Sequence, residues 1–113
     1  MKDTVLQCTT FGMGHTNIHD LNMKLIKKYF DILLQSSEYP AAIAFYTDGV
    51  QLTTEGSPIL EQLGQLESKG VRLIICSTCL DEMKIADKVK VGIAGGMPDI
   101  IEAQMKASKV ITI

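Results

Sequence analysis

The chain has 113 residues, of which 46% are apolar and 21% charged, so it can bury one core and has the composition of an ordinary globular protein. A net charge of −2 and the lack of Trp exclude the basic, aromatic-rich surface that binds nucleic acids. No apolar run reaches the roughly 18 residues of a membrane span, and the first residues lack the apolar stretch of a signal peptide, so we expect one cytoplasmic domain over residues 1–113 without nucleic-acid or membrane partners.

The apolar pattern predicts strands and helices in alternation. In chain order they are a strand over 4–9, a helix over 18–36, a strand over 41–46, a helix that begins at Ser57-Pro58 and ends at Lys69, a strand over 71–75, a short helix over 79–85, a short strand within 88–94, a helix over 98–107 and a strand over 109–113. Residues 50–54 are expected to form a loop or an extended segment. This order implies an α/β fold with a parallel sheet and helices on both faces.

The first predicted helix has one apolar face and one charged face. Helical spacing places on the apolar face Leu21, Leu25, Tyr29, Ile32 and Leu33, joined by Ile26 and Phe30. We expect this face to cover the core.

Residues that follow strands should meet at one edge of the sheet. All strands of a parallel sheet end at the same edge, and ligands bind along it. The candidate substrate-binding or rim residues are Cys8, Gly12, Met13, Gly14, His15 and Asp48, together with the cysteine pair Cys76 and Cys79 and the turn Gly95-Gly96.

The cysteine pair is the strongest candidate for chemistry. Cys76 ends an apolar run, and Cys79 follows after Ser77 and Thr78, which favour the N-cap of a helix. A thiol at a helix N-terminus has its thiolate form stabilised, which favours Cys79. Two thiols at this spacing can also form a disulfide, or act as a nucleophile with a resolving partner, and His15 can exchange a proton with either.

Other kinds of site are less well supported. A structural zinc site needs four ligands, so the cysteine pair would have to be completed by His15 and His19 or by Cys8, and we expect neither metal nor cofactor. Gly12-Met13-Gly14 lacks the third glycine of a dinucleotide fingerprint, because Asn17 stands there, and no Walker lysine follows. This segment is expected to be a flexible rim loop.

The segment from Gly70 to Asp81, with Gly12-Met13-Gly14, the run from Gly49 to Ser57 and the closing run from Ala107 to Ile111, resembles the DsrE-like sulfur-relay family. Within that family it is most similar to the C-terminal domain of the YedF selenium-metabolism proteins. The resemblance implies a three-layer αβα fold with a five-stranded parallel sheet and a tendency to form homo-oligomers. It also implies a persulfide on Cys76, with Cys79 as a helper.

Three functions are compatible with these observations. The first is a sulfur carrier, similar to a sulfurtransferase, that exchanges persulfide sulfur with a donor or acceptor protein. The second is a non-catalytic module that binds a small ligand or a protein at the rim. The third is a thiol redox sensor with a reversible Cys76–Cys79 disulfide.

Overall fold

The computed structural model describes residues 2–113, and these residues fold around a five-stranded sheet in which all strands are parallel. The elements are β1 (Thr4–Cys8), α1 (His19–Gln35), β2 (Ala42–Phe45), a first 3-10 helix (Thr47–Thr53), α2 (Leu60–Ser68), β3 (Arg72–Cys76), α3 (Ser77–Glu82), a second 3-10 helix (Ala86–Lys88), β4 (Ile93–Gly95), α4 (Met97–Lys106) and β5 (Lys109–Thr112). No helix within residues 2–113 is both long and apolar enough to cross a lipid bilayer.

The strands lie in the order β4-β3-β2-β1-β5. The first four strands are neighbours in chain order, and the last connection crosses back over the sheet to place β5 beside β1. Right-handed crossovers in opposite directions put their helices on opposite faces of a sheet. We therefore expect α4 to lie on the face opposite to α1 and α2.

The contacts of the helices agree with this layering. Gln62 on α2 donates a 2.9 Å hydrogen bond to Asp31 on α1, so these two helices are neighbours. On the other face, Gln104 of α4 hydrogen-bonds to Gln7 of β1. The predicted three-layer αβα architecture with a five-stranded parallel sheet is therefore confirmed.

The buried face of α1 agrees with the prediction at Ile26, Phe30 and Leu33 and differs from it at other positions. Its buried residues are Asn22, Ile26, Phe30 and Leu33. Ile32 is 65% exposed, and Leu21 and Leu25 are each 40% exposed. The helix is rotated because it turns the amide of Asn22 inward, where that side chain bonds to a preceding loop. A pattern that considers only apolar residues cannot predict that the Asn22 side chain is buried.

Three connections also differ from the prediction. Residues 47–53 form a 3-10 helix instead of a loop, with the Thr53 hydroxyl bonded to the Val50 carbonyl oxygen. Helix α2 begins at Leu60, because Ser57 accepts a hydrogen bond from the Ile59 amide in a turn that precedes the helix. Strand β4 has only three residues, since Lys88 ends a second 3-10 helix and Val89 forms an isolated antiparallel bridge with Thr54.

Side-chain alternation assigns the strand residues to the two faces. Cys8, Phe45 and Ile75 are register partners on neighbouring strands, and the Tyr29–Cys8 interaction places this row against α1. Gln7 lies one residue earlier on β1 and faces α4. On β3, Cys76 shares the α4 side with Ile74, since the two are two positions apart in the strand. Cys8 and Cys76 therefore point to opposite faces of the sheet.

Candidate functional site

The candidate site lies where β3 passes directly into α3. Cys76 is the last residue of β3 and the N-cap of α3, which begins at Ser77. The prediction that Ser77 or Thr78 caps a helix beginning at Cys79 is therefore wrong, since no cap hydrogen bond from a side chain is formed and the strand needs no turn before the helix. Cys79 falls in the first turn of α3, three residues after Cys76.

The two thiols of this pair differ in exposure. Cys76 is only 2% exposed, whereas Cys79 is partly accessible. The Sγ of Cys79 accepts a hydrogen bond from the Thr47 backbone amide at 3.2 Å, and the neighbouring Cys76 thiol interacts with it electrostatically. Burial raises the pKa of the Cys79 thiol, the Cys76 thiol raises it further, and the Thr47 amide acts in the opposite direction. Cys79 is thus an accessible thiol held by the Thr47 amide, without a strongly lowered pKa.

Thr47 has an unusual backbone conformation. Its φ is +49°, a left-handed value that is an outlier for a β-branched residue. Its hydroxyl lies 2.7 Å from the carbonyl oxygens of both Thr9 and Tyr46 and shares its single proton between them, which holds the residue between the ends of β1 and β2. Because the backbone turns here, the Thr47 amide points to Cys79. The sequence analysis missed this residue, and only its position between a strand and Asp48-Gly49 hints at it.

Gly49 allows the first 3-10 helix to approach β1 closely. A Cβ atom built on Gly49 would lie 1.9 Å from the carbonyl oxygen of Cys8. The Tyr46 amide bonds to the same oxygen at 3.2 Å. No other residue type can occupy this position without moving the backbone, so Gly49 fixes the segment that carries Thr47. Asp48, between them, is exposed.

Cys8 lies at the end of β1, as predicted, but it is 0% exposed. Burial raises the pKa of its thiol to about 12. Its side chain also lies on the sheet face opposite to Cys76. Cys8 is therefore a core residue that solvent does not reach, although it lies at the carboxyl edge of the sheet.

We predict that Cys8 makes the fold sensitive to alkaline pH. Burial raises the pKa of Cys8 from 9.0 to about 12, so between these values the folded thiol keeps a proton that the unfolded thiol has lost. The unfolded chain then binds fewer protons, and the free energy of unfolding falls as pH rises. Urea unfolding should show wild type losing about 1.4 kcal/mol more per pH unit than Cys8→Ala in this window. Parallel pH profiles for the two proteins would contradict the prediction.

The Gly12–His15 loop is bonded to α1. The side-chain amide of Asn22 donates to the carbonyl oxygens of Met13 at 2.9 Å and Gly14 at 2.8 Å, and the Met13 amide donates to the Asn22 carbonyl at 3.2 Å. Gly12 adopts φ +137°, and a Cβ there would meet Asn22 at 2.6 Å. His15 is exposed, and no hydrogen bond within the described residues joins it to a thiol. Asn22 is a second residue that the sequence analysis missed.

A metal site finds no support in the arrangement of potential ligands. Within residues 2–113, no group of three or more His, Cys, Asp or Glu side chains is placed to hold a metal ion. The site thus comprises Cys76, Cys79 and the Thr47 amide, while Cys8 and the Gly12–His15 loop are bound to other parts of the fold. Gly95 is the register partner of Cys76 on β4.

Comparison with known families agrees with this fold. The model of the DsrE/DsrF-like family matches residues 13–113. The chain belongs to the DsrE/DsrF-like family. No curated protein matches it.

Solved structures of similar fold cover nearly the whole chain. The ychN protein from E. coli has a TM-score of 0.68 at 18% identity, over 97% of this chain and 98% of that chain. A protein of unknown function from Methanobacterium thermoautotrophicum has a TM-score of 0.66 at 18% identity, over 97% of each chain. A conserved protein of unknown function from Bacteroides thetaiotaomicron has a TM-score of 0.67 at 14% identity, over 98% of this chain and 95% of that chain. At these identities the likeness of this DsrE/DsrF-like chain to them concerns the fold.

Proposed function

We propose that this protein is a sulfur carrier that accepts one sulfane sulfur on the cysteine pair at the carboxyl edge of its sheet. The supporting observation is a partly accessible Cys79 thiol that accepts a hydrogen bond from the Thr47 amide and lies three residues after Cys76, at the start of α3. A sulfur carrier needs an accessible thiol, room for one more atom and a means of orienting the sulfur. Cys79 meets the first requirement and has an orienting donor.

The family resemblance assigns the sulfur to Cys76, and the exposure of the two thiols favours Cys79 instead. Cys76 is 2% exposed and lies beside Gly95 in the sheet, so an added sulfur atom would have to enter closely packed surroundings. A raised pKa does not disqualify Cys79, because the nucleophilicity of a thiolate increases with its pKa and offsets part of the smaller ionised fraction. The resemblance assigns Cys79 to the branch of the family that carries a Cys-x-x-Cys pair.

The experiment is intact-mass measurement after treatment with a small hydropersulfide such as glutathione persulfide. Cys76→Ser keeps Cys79 and places a favourable N-cap residue before α3. We expect this variant to gain one sulfur atom, located on Cys79 by peptide mapping. Cys79→Ser should gain none, and Cys8→Ala should still react at the pair. A folded Cys76→Ser protein that takes up no sulfur would refute the proposed function.

We further propose that the carrier forms a homo-oligomer and exchanges sulfur with a donor or acceptor protein. One face of α4 exposes Met97 at 50%, Ile101 at 50% and Met105 at 81%, each four residues after the last. An exposed row of large apolar side chains is typical of a surface that contacts another protein. The row, together with the resemblance, supports self-association through α4.

This association predicts a change of mass in solution. Ile101→Lys should raise the dissociation constant of the oligomer about tenfold or more, since burying an isoleucine contributes about 1.5–3 kcal/mol. The matched control is Gln65→Lys, which adds the same charge at an exposed polar position of α2. Light scattering coupled to gel filtration measures both. A wild-type protein that stays monomeric at every concentration would rule out the homo-oligomer.

A further inference from the structure

The cysteine pair contains more than a carrier requires. A carrier needs one thiol, but here a second thiol, Cys76, lies three residues before Cys79 at the junction of β3 and α3, interacts with it electrostatically and is almost fully shielded from solvent. Helix geometry places Cα atoms three residues apart at about 5 Å, inside the roughly 4.4–6.8 Å that disulfides span. The pair can therefore close without moving the backbone far.

We propose that Cys76 expels the sulfur bound to Cys79 as hydrosulfide, so that the pair reduces persulfides and ends as a Cys76–Cys79 disulfide. This activity rests on the proposed function, since it requires that Cys79 first accepts a sulfane sulfur. It identifies the substrate class as small alkyl hydropersulfides and the released product as sulfide.

The reaction balances in two steps. In the first step, the Cys79 thiolate attacks the outer sulfur of the hydropersulfide, an S–S bond breaks, the donor leaves as a thiolate, and Cys79 carries a persulfide. In the second step, the Cys76 thiolate attacks the Sγ of Cys79, hydrosulfide leaves, and a disulfide forms. The sulfane sulfur gains two electrons, and each cysteine loses one. A small dithiol then reduces the disulfide and restores both thiols.

The contacts of the pair select the inner sulfur for attack in the second step. Cys76 and Cys79 lie three residues apart at the junction of β3 and α3, and the Thr47 amide holds the Sγ of Cys79 at this junction, so the inner sulfur stays within reach of Cys76. Attack on the outer sulfur would move it to Cys76, where the side chain is buried. Hydrosulfide is also a better leaving group than a thiolate of higher pKa, and burial raises the pKa of Cys79. Release is thus favoured over transfer within the pair.

The Thr47 amide supports this geometry from the other side. It donates to the Sγ of Cys79 at 3.2 Å, and the Thr47 hydroxyl bonds hold it in place. The Sγ of Cys79 is therefore held between the Thr47 amide and the attacking Cys76 thiol. Thr47 is a positioning residue in this scheme.

The experiment follows sulfide and protein mass together under anaerobic conditions. Reduced protein is mixed with one equivalent of glutathione persulfide, sulfide is measured with a colorimetric trap, and the protein mass is recorded. Wild type should release about one equivalent of sulfide and lose two hydrogens, at least about 100-fold faster than Cys76→Ser, because its attacking thiol is held in place. Cys76→Ser should retain the added sulfur. Wild type without the donor, kept under the same conditions, should stay reduced.

The outcomes separate this inference from the proposed function. If Cys76→Ser gains a sulfur atom and wild type keeps its own without releasing sulfide, the protein is a carrier and the reductase activity is refuted. If neither gains sulfur nor releases sulfide, the proposed function itself fails. Cys76→Ala gives the same comparison should serine disturb folding. Release by wild type at the rate of Cys76→Ser would also overturn the inference, since Cys76 would then have no part in it.

Discussion

Replacing Gly49 with alanine is expected to lower the free energy of unfolding by more than about 3 kcal/mol, beyond the usual cost of overpacking a core. The added Cβ would stand 1.9 Å from the backbone oxygen of Cys8, which cannot rotate away as the end of a flexible side chain can. Relief requires the first 3-10 helix to move from β1, which takes Thr47 with it. Urea unfolding measures the loss, and sulfur uptake by Cys79 should fall in whatever fraction remains folded.

Gly64→Ala is the matched control for this substitution. A Cβ at Gly64 would meet only Val91, at an ordinary 3.9 Å, and the residue lies inside α2. Alanine in a helix interior is preferred to glycine by roughly 0.5–1 kcal/mol, so this variant should be slightly more stable than wild type. Equal stability of the two alanine variants would mean that the contact between Gly49 and Cys8 does not constrain the fold.

Alkylation under native conditions should modify Cys79 at least about a thousandfold faster than Cys8. Cys8 is 0% exposed on β1, which pairs with a strand on either side, so reagent reaches it only after the sheet opens. Opening of a core strand costs a large part of the global stability, and about 5 kcal/mol corresponds to more than a thousandfold.

Time-resolved mass spectrometry with iodoacetamide measures both rates in one sample. Cys79→Ser should remove the fast phase and leave the slow one, whereas Cys8→Ala should do the reverse. In urea the thiols should react at similar rates, which shows that folding causes the difference. Modification of Cys8 within tenfold of Cys79 in the native protein would contradict the buried position of Cys8.

Much of the fold could be predicted because strands and helices leave periodic apolar patterns. The five strands and the layering follow from alternation and from the handedness of crossovers. The rotation of α1 could not be predicted from the sequence, because it depends on hydrogen bonds from the Asn22 side chain to two carbonyl oxygens. The first 3-10 helix was also missed, since a short helix held by bonds such as Thr53 to Val50 has no apolar period of its own.

The site was predicted in part for similar reasons. The sequence predicts that Cys76 and Cys79 lie at the carboxyl edge, because that depends only on strand direction. It does not predict which thiol is accessible, since that depends on α3 beginning at Ser77. The separation of Cys8 from Cys76 depends on a register offset of one residue between strands. The Thr47 amide is a backbone group, so its role leaves no signal in residue type.

The pairing of β1 with β5 has a consequence for synthesis. Thr4 pairs with Lys109, so an early strand receives its second neighbour only from a late one. While the chain emerges from the ribosome, β1 can pair with β2 but has a row of unbonded amides along its other side. Such an open side can pair with another nascent chain. β1 is therefore protected from chains that neighbouring ribosomes are making only after β5 has left the exit tunnel and paired with it.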